Sequence, residues 1–236
     1  MSPNRFPYAN SVEELMAFVG RLKEISQKPV GIKIVISDTD QLEELIGTMK
    51  RCHDQGKAIP DFITVDGGDG GSATAPLELM ESVGLSLTNA LYLLDFYLRM
   101  HQLRDKVRVI GSGKILTPDD IAIALCMGAD MVGIARGFMM SGGCIRARHC
   151  SGADGKKCPV GMATQDKKKR LSYLVVQKSE HIASYHHHLL QGLRTILAVV
   201  GEKHISTLSR KHLAFRDVRG ELFFDIDTYF QNKLHV

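Results

Sequence analysis

Four short apolar runs decide what this chain can fold into. They are VGIKIVI at residues 30–36, DFITVD at 61–66, VRVIGSG at 107–113 and DMVGIA at 130–135. Each is dense in β-branched residues and bounded by Gly, Pro, Asp or Asn, the mark of a strand. Helix-patterned segments separate them. Ser11 with Glu14 three positions on reads as a capping box, and Val12, Leu15, Met16, Val19, Leu22 and Ile25 recur at helical spacing until Pro29. Asp40 is the expected cap of a second helix carrying Leu42, Leu45, Ile46 and Met49, closed by Gly56. A third helix covers about residues 87–103, and Thr117 followed by Pro118 opens a fourth that stops at Gly128. A long helix is predicted over 177–200, followed by an irregular tail that ends in a short strand and helix.

Four βα units in succession predict parallel strands. Because the runs are mostly apolar rather than alternating, both faces of the sheet are expected to be covered. Such a pattern belongs to a doubly wound sheet or to part of a (β/α)8 barrel. A complete barrel takes about 250 residues and eight strands. Here four strands are followed by a segment of different character.

Sites in these architectures form at the C-terminal ends of the strands. Each strand of this chain carries something unusual there. The first holds Lys33 in an apolar run, where a lysine must pair or face a cavity, unless it snorkels at a rim. The second ends in DGGDGG, residues 66–71, where Asp66 and Asp69 suit either turn capping or the orientation of a hydroxyl or cation. The third ends in GSGK, residues 111–114, and the fourth in ARG, residues 135–137. Glycine-bearing ends on adjacent strands, with Lys114 and Arg136 as extra cations, suit a phosphate; tight βα turns account for the same glycines. GSGK lacks the spacing of a Walker loop.

Beyond the last strand, CIRARHCSGADGKKCP places Cys144, Cys150 and Cys158 among basic residues. The spacing is C-x5-C-x7-C, without the CxxC pair of a zinc ribbon. Three thiolates suit an iron–sulfur cluster, and neighbouring cations would offset its charge. Zinc with His149, or unliganded thiols, are the other readings. Cys52 and Cys126 fall in helical patterns and read as small core residues. The three histidines 186–188 point to different helix faces and do not suit a shared metal.

The whole chain of 236 residues has a formal net charge of +4, too little to argue for nucleic acid. The KKKR run at 167–170 reads as a solvated helix start. The opening MSPNRFPYAN lacks a basic n-region and an apolar h-region, and no apolar run approaches the roughly 20 residues of a membrane span. Five cysteines without a secretion signal favour a reducing, cytoplasmic setting.

The segments SPNRF, KPVGIKIV, PDFITVDGGDGGSATAP, VIGSGKI, GIARGFM and CPVGMATQD together resemble the FMN-binding domain of glutamate synthase, over about residues 2–200. The resemblance implies an α/β fold: the C-terminal half, four βα units, of a (β/α)8 barrel. It divides the chain into a half-barrel at 1–142, a cysteine loop at 143–166 and a C-terminal helical extension at 167–236. FMN and a 3Fe-4S cluster are the implied cofactors, with 2-oxoglutarate and ammonia, or a related imino acid, as substrates. By position, Lys33 and Asp69 are the implied catalytic residues. Lys33, Asp66, Gly67, Gly68, Gly70, Gly71, Ser112, Gly113, Lys114, Ala135, Arg136 and Gly137 would surround the flavin. Cys144, Cys150 and Cys158 would hold the cluster.

Two departures accompany the match. The second cysteine interval is longer than the family's usual C-x4-C, and the first half of the barrel and an amidotransferase domain are missing. A half-barrel leaves open edges and apolar faces, so a homo-oligomer or a complementary half-barrel chain is the expected partner. Such a chain would be either a catalytic part or a non-catalytic subunit acting by association.

Overall fold

A computed structural model describes residues 6–68, 83–150, 155–216 and 219–234. In chain order the elements are α1 (Val12–Ser26), β1 (Gly31–Val35), α2 (Thr39–Asp54), β2 (Phe62–Asp66), α3 (Leu87–Met100), β3 (Arg108–Ser112), α4 (Pro118–Cys126), β4 (Met131–Gly133), α5 (Arg136–Ser141), α6 (Lys167–Leu171) and α7 (Val175–Val199). Two 3-10 turns follow, then a two-stranded hairpin of β5 (Phe215–Arg216) and β6 (Leu222–Phe223), then α8 (Ile226–Leu234).

Local chemistry sets the boundaries. The Ser11 hydroxyl accepts the Glu14 N–H at 3.2 Å and starts α1. The Glu14 carboxylate reaches back to the N–H of Asn10 at 2.7 Å rather than to that of Ser11, so the expected box is half made. The α1 helix stops at Gln27, whose left-handed φ of 52° lets its N–H bond Lys23 O, before Pro29 is reached. Asp38, not Asp40, caps α2: its Oδ1 accepts the N–H groups of Asp40 and Gln41 at 2.8 and 3.4 Å. The α3 helix ends at Met100, three residues short of the expectation. In α4 the Asp120 carboxylate accepts the N–H groups of Leu116 and Thr117 at 2.9 and 3.1 Å, Pro118 holds the first helical position, and Gly128 adopts φ +113° just past the end.

The four main strands pair in the order β1-β2-β3-β4, all parallel. Crossovers between sequential neighbours, with the right-handed sense that such connections take, carry α2, α3 and α4 onto one face of the sheet. This is the winding of a barrel, and it excludes the order reversal of a doubly wound sheet. Ile63, Val65, Val109 and Gly111 face the helices and are buried, together with Ile46, Met49, Leu91, Leu94 and Leu98 from α2 and α3. Burying each large apolar side chain contributes about 1.5–3 kcal/mol.

The other face departs from the strand pattern's expectation of two covered faces and agrees with the open apolar face that a half-barrel implies. Lys33 and Val35, Thr64 and Asp66, Ile110 and Ser112, and Met131 and Gly133 lie on it in register. The described helices do not cover it: Val35 is 52% exposed and Met131 49%. The apolar character of the strands thus reports one face packed on helices and one that would line the inside of a closed barrel. Among the described residues, β1 and β4 are both sheet edges.

The tail returns to the outside of the barrel. Leu208, Ile226 and Phe230 are buried, and Phe230 stacks on Tyr92 with ring centroids 4.7 Å apart. Beneath them Asp95, fully buried, receives Arg99 Nε at 2.7 Å, Arg104 Nε at 2.7 Å and Arg210 Nη2 at 2.5 Å. Burial raises the pKa of Asp95, but the hydrogen bond from Arg99 and the charges of Arg210 and Arg104 outweigh it, and the carboxyl sits below its ordinary value. The Arg210 guanidinium also lies 4.8 Å from the centre of the Tyr92 ring. Nothing local in the sequence announces this hub. Only the Asp95–Arg99 pair, at helical i,i+4 spacing, is visible before folding.

Candidate cofactor-binding site

The uncovered face gathers its polar groups where sequence reasoning put them, at the C-terminal ends of the strands. Lys33 Nζ bonds Asp66 Oδ2 at 2.7 Å, crossing from the middle of β1 to the end of β2. Lys33 thus both pairs and faces open space: its side chain is 61% exposed and that of Asp66 28%. In the same upper row, Val35, Asp66, Ser112 and Gly133 stand side by side.

Gly67 and Gly68 tie the end of β2 to its neighbours. Their N–H groups bond Ser112 O at 2.8 Å and Leu85 O at 2.7 Å, so both donors are spent on backbone. A Cβ on Gly68 would lie 2.4 Å from Val83 O, and one on Gly113, whose φ is +132°, would lie 3.0 Å from Gly67 N. The ends of β2 and β3 interlock through hydrogens where side chains would not fit. Asp69, Gly70 and Gly71 lie outside the described residues.

Ser112, Gly113 and Lys114 form the turn after β3. Lys114 holds φ 50°, a left-handed conformation that costs a non-glycine residue about 1–3 kcal/mol and collects at functional sites. One strand over, Ala135 precedes α5 and offers no side-chain cap, so among the described residues the N–H groups of Arg136, Gly137 and Phe138 meet neither an intrahelical carbonyl nor an N-cap side chain. Uncapped donors beside Lys114 and a half-buried Arg136 are a setting that fits a phosphate. Gly137 is buried, and its lack of a side chain is explained by packing: a Cβ there would lie 1.9 Å from the Tyr185 hydroxyl.

The three loop cysteines differ from one another. Cys158 is buried. Burial raises its pKa, but backbone hydrogen bonds from Ala163, Val160, Met162 and Gly161 bring it below the ordinary thiol value. Cys144 is half-buried and its Sγ accepts the Arg146 N–H at 3.4 Å. Arg146 and Arg148 both hold left-handed φ, 56° and 58°. Cys150 is exposed. The donors around the Cys158 sulfur favour its thiolate, the form that binds iron. Among the described residues, however, no three His, Cys, Asp or Glu side chains are grouped to hold a metal ion, so the cysteines do not form one ligand set here. Cys52 and Cys126 are buried in the core as expected.

The long helix expected over 177–200 is α7, but its contacts with the site were not foreseen. Tyr173, just before it, donates its hydroxyl to Gly142 O at 3.0 Å, and Tyr185 donates to Leu116 O at 2.6 Å. Gly192 passes so close to α4 that a Cβ would lie 2.4 Å from Pro118 Cγ. One helix therefore backs the approach to the cysteine loop and the turn after β3. The signal available in the sequence was the pair Gly137 and Gly192, small residues on helices where larger ones would serve stability better.

A second concavity, of about 750 Å³, opens at the opposite, N-terminal end of β3 and β4, between Arg99, Arg108, Asp130, Ser206 and Lys211. It holds none of the expected site residues.

Fold and site together define a barrel half that keeps its charged and hydroxyl groups at the strand C-termini and three cysteines in the loop that follows. Residues 1–203 match the family model described as the conserved region in glutamate synthase. The chain belongs to that family. It is 40% identical over 221 residues to the glutamate synthase large subunit-like protein YerD of Bacillus subtilis, covering 94% of this chain and 41% of that one. It is 30% identical over 217 residues to the NADPH glutamate synthase large chain of Azospirillum brasilense, covering 91% of this chain and 14% of the relative. The ferredoxin-dependent glutamate synthase of Cyanidium caldarium is 29% identical over 238 residues, with 96% and 14% covered. The chain thus spans less than half the length of these relatives. Among solved structures, a variant of flavocytochrome b2 with benzoylformate superposes with a TM-score of 0.50 at 14% identity, over 84% of this chain and 37% of that one, a likeness of fold.

Proposed function

We propose that this chain forms half of an FMN-dependent oxidoreductase barrel that makes glutamate from 2-oxoglutarate and ammonia by reducing 2-iminoglutarate. The observation that carries the reading is the Lys33–Asp66 pair on the uncovered face, at the strand ends of a glutamate synthase family member. FMN, when bound, supplies the hydride chemistry at its N5. The protein's part is positioning and charge. Lys33 offers an ammonium to a substrate carboxylate or to the electron-rich edge of the flavin, and Asp66 holds that ammonium in place from the next strand. The turn 112–114 and the uncapped start of α5 at residues 135–137 would hold the phosphate. Asp69, Gly70 and Gly71 are assigned to the same pocket, Asp69 as a catalytic group, by family position.

The 3Fe-4S cluster is assigned to Cys144, Cys150 and Cys158. Cys158 and Cys144 already meet backbone donors, and Cys150 is assigned with them by family position. A reducing, cytoplasmic setting accords with five free cysteines. Among the described residues no helix is long and apolar enough to cross a membrane. The proposed organisation is a half-barrel at 1–142, a cluster loop at 143–166 and an extension at 167–236.

A second reading, a non-catalytic subunit acting by association, is favoured by the exposed Val35 and Met131 on the uncovered face. Both readings require a complement for β1 and β4, either a second copy or the other half-barrel. The test is anaerobic purification alone and with the N-terminal half-barrel of a relative, followed by flavin and iron analysis, light scattering and glutamate formation. About one flavin and three irons per protomer, with turnover lost in Lys33→Met, supports the enzyme. A folded, colourless assembly without turnover overturns it in favour of the second reading. Flavin without iron, in wild type and Cys158→Ser alike, removes the cluster alone.

A further inference from the structure

We propose that Tyr185 is a positioning residue for the phosphate end of the flavin site, an inference that rests on the phosphate reading above. Its hydroxyl touches both loops at which the phosphate is placed. It donates to Leu116 O at 2.6 Å, two residues beyond Lys114 in the turn after β3. It also fills the space of a side chain at Gly137, one residue into α5, where a Cβ would be 1.9 Å from the hydroxyl oxygen. The ring is fixed by an edge-on contact with Phe138, centroids 5.1 Å apart at 82°.

The Leu116 peptide is thereby held on both sides: its carbonyl by Tyr185 and its N–H by Asp120 at 2.9 Å. One oxygen atom sets the separation of the two loops, and an absent side chain at Gly137 admits it. Burial, and then the charge of Asp120, raise the pKa of this hydroxyl, so it remains a donor across the working pH range. Lys33 and Asp66 stand on the opposite pair of strands. Tyr185 should therefore govern the phosphate end of a flavin and leave the ring end alone.

The test compares FMN with riboflavin, which lacks the phosphate, on the wild-type flavin-binding assembly and on Tyr185→Phe, by fluorescence titration with circular dichroism as the check on folding. A lost hydrogen bond of this kind predicts that the preference for FMN falls about three- to tenfold while riboflavin affinity holds within about twofold. A preference that stays at the wild-type value overturns the proposal, as does an equal loss for both ligands, which would mark a purely structural role. If wild type itself shows no preference for FMN, the phosphate reading falls, and this proposal with it. Should Tyr185→Phe fail to fold, Phe138→Leu removes the edge-on contact that fixes the Tyr185 ring. A smaller loss of the same selective kind is then expected, and its absence in a folded Phe138→Leu protein is refuting.

Discussion

Replacing Asp95 with asparagine removes the one negative charge that three arginines share. The side chain is 1% exposed, so solvent does not take over its role. Arg99 is 61% exposed and loses little. Arg104 and Arg210 are 17% and 18% exposed and lose most. Each keeps a second acceptor, Asp130 at 3.1 Å for Arg104 and Asp227 at 3.3 Å for Arg210. An asparagine would also turn an N–H₂ toward a guanidinium, placing donor against donor. Breaking a buried pair from one side costs about 3–5 kcal/mol, and the retained acceptors place this case near about 3. That is a large share of the roughly 5–15 kcal/mol that holds a domain together.

Urea unfolding at pH 7, followed by circular dichroism, measures it directly. Acid gives a second check. The carboxyl has a depressed pKa in the folded state, so its contribution is complete above the unfolded value of about 4 and fades as pH falls through the folded one. The gap between wild type and Asp95→Asn should be flat from pH 7 to about pH 5 and narrow below about pH 4. A gap under about 1 kcal/mol at pH 7, or one that widens in acid, would refute the view of Asp95 as the electrostatic anchor of the tail.

Three further outcomes are expected. Lys33→Met should change stability by no more than about 1 kcal/mol, because the pair is exposed, yet lower glutamate formation by about a hundredfold or more; urea titration and steady-state rates separate the two. Gly68→Ala puts a methyl 2.4 Å from Val83 O, and should destabilise by about 1–3 kcal/mol and weaken flavin binding as the end of β2 parts from residues 83–85, seen by thermal melting and flavin fluorescence. Ending the chain at His204 removes Arg210, Ile226 and Phe230, uncovers Tyr92 and Asp95, and should increase binding of a hydrophobic dye, with circular dichroism showing the sheet retained.

The strands and most helix ends were legible because their determinants are local. Ile63 and Val65 announce β2, and Thr117, Pro118 and Gly128 bracket α4 within a dozen residues. Lys33 stood out as a lysine in an apolar strand, and Asp66 as an acid at a strand end. Their pairing follows from the register, which no single segment contains. The uncovered face was not legible in the strand pattern and followed only from the half-barrel resemblance: Ile110 and Met131 are as apolar as the residues packed on helices, since both would be buried in a closed barrel. The donors of Gly67 and Gly68, the three-arginine hub and the reach of Tyr185 were invisible for the same reason. Each depends on a group brought from a distant part of the chain, and sequence spacing carries no trace of it.

The hub also imposes an order on synthesis. Asp95 finds Arg99 and Arg104 within 4 and 9 residues, as soon as α3 and its following turn are made, whereas Arg210 comes 115 residues later. The strands and helices can therefore assemble through near neighbours while translation continues. Only the finished tail brings the last arginine to Asp95 and lays Phe230 on Tyr92. A chain lacking residues 205–234 would keep its sheet and leave that seam open, so the closing of the seam distinguishes molecules that carry the tail from those that do not.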